Sequence, residues 1–239
     1  MDIFSEKSII IKKYSLHDLD EIVVLFTEKH GIVRGVVKRS RGKKSTFSGR
    51  VEIFSEVLAT INFKGYENLS VIKDLKTLNY FRMDRGGIEN YFLLSFFGEL
   101  LLNSRFEKGN FNVKLFSLFE KVLLLPKLNK FEKLKMATYV LFWVMELEGL
   151  LPSFKRCSVC GRDVRGKIFV DRNMVVLCEN CINNKVLELS ELEDFLKLSP
   201  FEFLERKFKP KKIENLFELL LYKFQDFLKL KLSTKNLIL

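Results

Sequence analysis

Every cysteine of the chain falls in one stretch, RCSVCGRDVRGKIFVDRNMVVLCENC, Arg156–Cys181. The thiols come as two pairs, Cys157-x2-Cys160 and Cys178-x2-Cys181, with seventeen residues between them. A two-residue gap lets both thiolates of a knuckle turn toward one point, and Gly161 eases the backbone directly after the second thiol. Lys167–Val170 and Met174–Leu177 are short apolar runs on either side of Asp171–Asn173. They are expected to form a hairpin that brings the knuckles face to face. Four converging thiolates describe a tetrahedral, structural zinc site with one Zn2+ per chain. A four-thiolate iron centre uses similar spacing and stands behind zinc as the second choice. Disulfides would need an oxidising compartment, and a redox pair needs only one CxxC in a thioredoxin-like setting.

The same count removes catalysis. A hydrolytic zinc keeps a position open for water, whereas here protein fills all four. A zinc deaminase needs a His- or Cys-x-Glu element ahead of Pro-Cys-x-x-Cys, and Arg156 stands where that proline would be. The two histidines, His17 and His30, lie near expected turns. Gly86-Gly87 is a bare break and not a phosphate loop. Glu146 and Glu148, like Glu191 and Glu193, are two residues apart and face different sides of a helix. No enzyme is expected.

The other uneven stretch is VKRSRGKKSTFSGR, Val37–Arg50, which carries six cations and no acid. Lys38, Arg39, Arg41, Lys43, Lys44 and Arg50, with Arg34 just upstream, are candidate phosphate contacts. Gly42, Gly49 and three serines let such a loop follow a nucleic-acid backbone. Phe47 is a candidate stacking residue within it, and Phe54, Phe63 and Tyr66 follow. Cations tracking phosphates beside aromatic faces are what a single-strand groove requires. The bland alternative is a solvated loop with core phenylalanines. Smaller clusters occur at Lys155, Arg156, Arg162, Arg165, Lys167 and Arg172, and at Lys207, Lys209, Lys211 and Lys212. Such lysines usually serve solubility. The formal charge of +11 favours a polyanionic partner without choosing one.

Two kinds of element must position these residues. Ser8–Tyr14, Glu21–Thr27, Ile32–Lys38, Arg50–Phe63 and Leu69–Leu78 are expected strands, enough for a small closed barrel. From MDRGGIEN, Met83–Asn90, the periodicity turns helical, over Ile88–Phe106, Phe111–Leu125 and Lys130–Leu150, then Ser190–Leu198, Pro200–Phe208 and Ile213–Leu232. The fold class is α+β in two domains. A five-stranded barrel spans 1–80, and a helical domain spans 81–239 with the zinc module at 154–184. MATYVLFWVM, Met136–Met145, is too short for a bilayer and reads as a buried helix. MDIFSEKSIIIKK reverses the basic-then-apolar order of a signal peptide. A cytoplasmic protein with no membrane role is expected.

In VLFTEKHGIVRGVVKRSRGKKS, Val24–Ser45, and VMELEGLLPSFKRCSVCG, Val144–Gly161, the chain resembles the RecO family of bacterial recombination mediators. The first segment corresponds to the run from second strand into basic loop, the second to the helix leading into the first knuckle. Arg39-Ser40 and FLKLKLST, Phe227–Thr234, depart from the family's usual residues. The resemblance implies that the barrel is an OB-fold and that the four cysteines hold zinc. It further implies a non-enzymatic, nucleoid-associated repair protein that binds single- and double-stranded DNA and anneals complementary strands. Its implied partners are RecR and single-strand-binding protein, with RecA served indirectly by loading onto gaps. From the residues alone, the alternative is a zinc-ribbon adaptor for RNA or a protein partner.

Overall fold

The computed structural model describes residues 2–42, 45–47, 49–104, 110–182, 186–189 and 192–239. Lys43 and Lys44 of the basic loop lie outside the described residues, as do Ser48 and Glu191. Contacts divide the chain into two compact units, residues 1–98 with 105–127 and Glu99–Ser104 with Leu128–Leu239.

The first unit is built on five strands, β1 (Asp2–Leu16), β2 (Asp20–Thr27), β3 (Gly31–Val37), β4 (Ser55–Phe63) and β5 (Ser70–Tyr80). They close into a barrel in the order β1-β2-β3-β5-β4, with β4 returning to β1. β3 and β5 are parallel and every other pair is antiparallel. This is the OB arrangement. Side chains alternate across each strand, so Val23 and Leu25, Val33 and Val37, and Val57, Ala59 and Ile61 all point inward. Gly35 lies on the inner side of β3, where an added Cβ would stand 2.5 Å from Ile72 Cδ1. Its missing side chain lets β5 close against β3.

Two strand starts differ from the sequence expectation by more than two residues. β1 starts at Asp2, not Ser8, because its first residues pair with the far end of β4, from Asp2↔Phe63 onward. β4 starts at Ser55, not Arg50, because Phe54 takes a left-handed φ of 63°. That turn buries the Phe54 ring against Phe81, Tyr91 and Phe119. A left-handed residue costs about 1–2 kcal/mol, and burying a phenylalanine returns up to about 3 kcal/mol. Burial wins.

α1 (Met83–Asn103) is interrupted at Gly87, so the regular helix begins at Ile88, where the Gly-Gly break places it. α2 (Asn110–Leu123) covers β2, with Phe26 against Phe116 and Phe119, and Phe97 joins the same cluster.

In the second unit α3 (Lys130–Leu147) is the central helix, buried from Lys133 to Phe142 and again at Val144 and Met145. Asn129 and Glu132 form a reciprocal cap at its start. Three polar side chains of α3, Lys133, Lys135 and Tyr139, reach carbonyls. Lys133 Nζ donates to Leu237 O, and Lys135 Nζ donates to Leu204 O and, at 2.9 Å, to Arg206 O. Tyr139 donates to Leu198 O at 2.7 Å, and burial pushes its pKa up to about 12. MATYVLFWVM is thus core, and no described helix is long and apolar enough to cross a membrane. Around α3 pack α5 (Pro200–Glu205), α6 (Pro210–Leu228) and α7 (Lys235–Ile238). α4 (Leu192–Lys197) precedes α5, and a small sheet of β6 (Phe169–Val170), β7 (Val176–Leu177) and β8 (Leu187–Glu188) carries the cysteine module. α7 and β8 are too short to leave a periodic signal.

Candidate metal centre and nucleic-acid interface

The expected hairpin forms between β6 and β7, with Phe169 opposite Leu177 and Val170 opposite Val176. Its turn is held by Asp171 Oδ1, which accepts from the amides of Asn173 at 2.8 Å and Val175 at 2.9 Å. Cys178 follows β7 directly. The first knuckle folds back on itself through Cys157 N to Arg162 O and Gly161 N to Cys157 O, both 2.9 Å. Gly161 makes that reversal with a φ of 71°. Ser158 N then donates to Val176 O at 2.8 Å, which docks the first knuckle on the strand that leads into the second. Cys181 N to Cys178 O, 2.9 Å, closes the second knuckle.

All four sulfurs lie within 4.8 Å of one another, and Cys160 Sγ is 3.8 Å from Cys178 Sγ. A tetrahedral zinc with Zn–S bonds of ~2.3 Å spaces its sulfurs ~3.8 Å apart, so the residues present fit such an ion. The surroundings prepare the thiols unequally. Amides of Cys160 and Cys178 aimed at Cys157 lower its pKa to about 6. The Arg162 amide and guanidinium lower that of Cys160. Cys181, hydrogen-bonded to the sulfurs of Cys160 and Cys178, is pushed up to about 12. A cation held here would need all four sulfurs as thiolates, so its binding would release protons. Among the described residues no His, Asp or Glu joins this set.

The basic loop is less uniform than its sequence. Arg34, Lys38 and Arg39 are exposed and their side chains make no described ion pair. Arg41 instead reaches back to the β1–β2 turn, donating to Ser15 Oγ at 3.2 Å and to His17 O. Arg50 lies along β5, 3.3 Å from Leu75 O and 3.7 Å from Asp74 Oδ1. The stretch contains no acid, yet the fold brings acids to it. Asp20 Oδ1 accepts from the Arg39 amide at 2.7 Å, and Glu21 and Glu52 flank Lys13 at 3.8 and 3.6 Å. Lys13, Glu21, Arg41, Phe47 and Glu52 line a shallow groove beneath the loop.

The aromatic residues are distributed differently from the sequence expectation. Phe47 is half-buried and packs on the barrel core. Phe54 is 2 % exposed. Phe63 and Tyr66 belong to a cluster with Phe4 and His30, where the β2–β3 turn meets the β4–β5 connection. Strand β3 runs from that cluster at Gly31 to the basic loop after Val37, so the two occupy opposite ends of the barrel. His30 stacks on Phe4 at 4.0 Å, and its Nδ1 lies 2.8 Å from Glu6 Oε1, a packed structural histidine. His17 lies in the β1–β2 turn, a backbone anchor for Arg41.

An OB-type barrel with a cationic loop, continued by a helical unit carrying a four-cysteine knuckle module, defines a class of two-part barrel proteins. The N-terminal model of Recombination protein O matches residues 1–81, and its C-terminal model matches residues 85–222. The chain belongs to the RecO family, and its role lies in DNA repair and recombination.

Proposed function

We propose that this protein is a non-enzymatic recombination mediator of the cytoplasm, acting at the nucleoid. It binds single- and double-stranded DNA and anneals complementary strands. With a RecR-type partner and single-strand-binding protein, it helps RecA load onto covered gaps. The observation that carries this reading is the set of exposed cations Arg34, Lys38 and Arg39, free of described ion pairs, on a barrel of OB topology. Lys43 and Lys44 extend the set, Arg41 and Arg50 contact phosphates at its edges, and Phe47 offers its exposed rim to a base. One Zn2+ held by Cys157, Cys160, Cys178 and Cys181 braces the second unit and takes no part in chemistry.

The test is DNA binding by fluorescence anisotropy over a salt series, followed by annealing of complementary oligonucleotides. Six of these seven cations in contact with the phosphates of a single strand give a slope of about −4 in log K against log salt. Faster pairing of complementary DNA is expected at protein concentrations that saturate the strands. Tight RNA binding without acceleration of DNA annealing would favour an RNA adaptor instead.

A further inference from the structure

Phe47, the aromatic within the basic loop, packs on the barrel core, but the barrel's registers bring a more exposed ring beside the loop. Tyr14 pairs with Ile22, Ile22 with Val36, and Val36 with Val71. These four residues form one outward-facing row across β1, β2, β3 and β5, since the alternate positions Val23, Leu25, Val33 and Val37 fill the core. Tyr14 is 46 % exposed, and Ile22, Val36 and Val71 are each partly exposed. Three strand spacings make the row about 14 Å wide. The adjoining row runs Lys12, Val24, Arg34. Lys12 and Arg34 are exposed and make no described ion pair, and Lys12 Nζ stands 5.1 Å from the Tyr14 ring centroid. Arg41 is tied to Ser15 and His17, so the basic loop is anchored within three residues of Tyr14.

We infer that this row is a base-stacking platform for single-stranded DNA, with Tyr14 the stacking residue and Lys12 and Arg34 on the flanking phosphates. The inference rests on the reading of the barrel as a DNA-binding domain, and adds what distinguishes one strand from two. A ring beside apolar β-branched side chains takes the face of any unstacked base, while unpaired cations alongside complement the backbone. Paired bases in a duplex turn inward and cannot use such a row, so duplex binding is left to phosphate contacts alone. Of the other exposed aromatics among the described barrel residues, Tyr66 at 37 % packs on Phe63 at the far end of the barrel, and Tyr80 at 54 % lacks this setting, since the nearby Arg82 is held by Asp84 at 2.6 Å.

The test compares Tyr14→Ala, Tyr14→Phe and Tyr80→Ala by anisotropy on a thymidine oligonucleotide and on a duplex of equal length, across salt. Tyr14→Ala is expected to weaken single-strand binding about 5- to 150-fold. Its salt slope and duplex affinity should stay at wild-type values, and Tyr14→Phe and Tyr80→Ala should bind like wild type. Ultraviolet crosslinking of an iodouridine-containing strand should place the adduct on the peptide holding Tyr14. Equal loss on both DNA forms, an equal loss in Tyr80→Ala, or a Phe variant as weak as Ala would overturn the platform. Wild-type binding with an unchanged Tyr14→Ala variant would sink this inference alone. Absence of DNA binding by the wild type would sink the proposed function with it.

Discussion

In the cysteine module four side chains from two knuckles bring their sulfurs within 4.8 Å of one another. In the basic loop the described cations diverge, Arg41 to the β1–β2 turn, Arg50 to β5, Lys38 and Arg39 to solvent. The first is a closed set, in which each member's position depends on the other three. The second is an open set, in which, on the proposed function, each charge would act on its own stretch of polyanion. Closed sets fail as a unit and open sets fail by degrees, and that contrast can be measured.

The largest effect is expected from breaking the closed set. Structural zinc contributes ~10–16 kcal/mol in small knuckle domains, about 3 kcal/mol for each of four ligands. Cys157→Ser should therefore weaken metal binding roughly a hundredfold or more. Elemental analysis should show about one zinc per wild-type chain and far less in the variant after dialysis against a mild chelator. Cys160→Ser, Cys178→Ser and Cys181→Ser should behave alike. Any one of them retaining wild-type affinity would show that the set is not closed.

Next in size is the graded loss from the open set. Each phosphate contact on a single strand contributes ~0.7 to the salt slope. Replacing Lys38, Arg39, Lys43 and Lys44 with Gln should flatten a slope near −4 to about −1.4, and single replacements should each remove a similar share. A single substitution that abolished the slope would mean the loop acts as a unit after all.

This difference also explains what could be read before folding. The knuckle spacing is local in sequence, the intervening hairpin is local, and so the convergence of four thiols was legible. Strand number and the start of the helices were legible for the same reason, since alternation and the Gly86-Gly87 break are short-range signals. What depended on pairing between distant segments was not. Nothing in Val37–Arg50 announces that Asp20, Glu21 and Glu52 will stand beside it, because those acids arrive through β2 and the end of the loop. Phe63 and Tyr66 follow the basic loop closely in the chain, yet β4 carries them to the other end of the barrel. Phe54 looked like a strand residue because its left-handed turn is imposed by the ring's burial against α1 and α2.

Glu99 supplies a closed set without metal, and a smaller expected effect. Its two oxygens accept four hydrogen bonds, from the amides and hydroxyls of Ser233 and Thr234. Burial pushes its pKa up, but those bonds outweigh burial and hold it below the ordinary carboxylate value. A carboxylate depressed in the folded state adds stability above its unfolded pKa, and loses it as pH falls through the folded value. Glu99→Ala should cost about 1–3 kcal/mol at neutral pH, a fall of about 2–4 °C in Tm per kcal/mol. The gap between wild type and variant should narrow once pH drops below ~4.5. A gap that persisted unchanged at low pH would mean the loss came from packing and not from the charge.

The smallest expected effect separates members of the open set from one another. Lys38 is free in the structure, whereas Arg41 already spends its guanidinium on Ser15 and His17, and Arg50 on Leu75 and Asp74. A cation that leaves an acidic partner for a phosphate, as Arg50 would leave Asp74, returns that acid to the solution cations, so the net ion release on binding is smaller. Lys38→Gln should therefore reduce the salt slope by ~0.7, and Arg50→Gln by clearly less. Arg41→Gln should show its effect elsewhere, as a modest loss of affinity at every salt concentration, because the loop loses its anchor on the β1–β2 turn. Equal slope changes at all three positions would mean that the contacts made by Arg41 and Arg50 dissolve on binding, and that the open set is uniform when DNA is present.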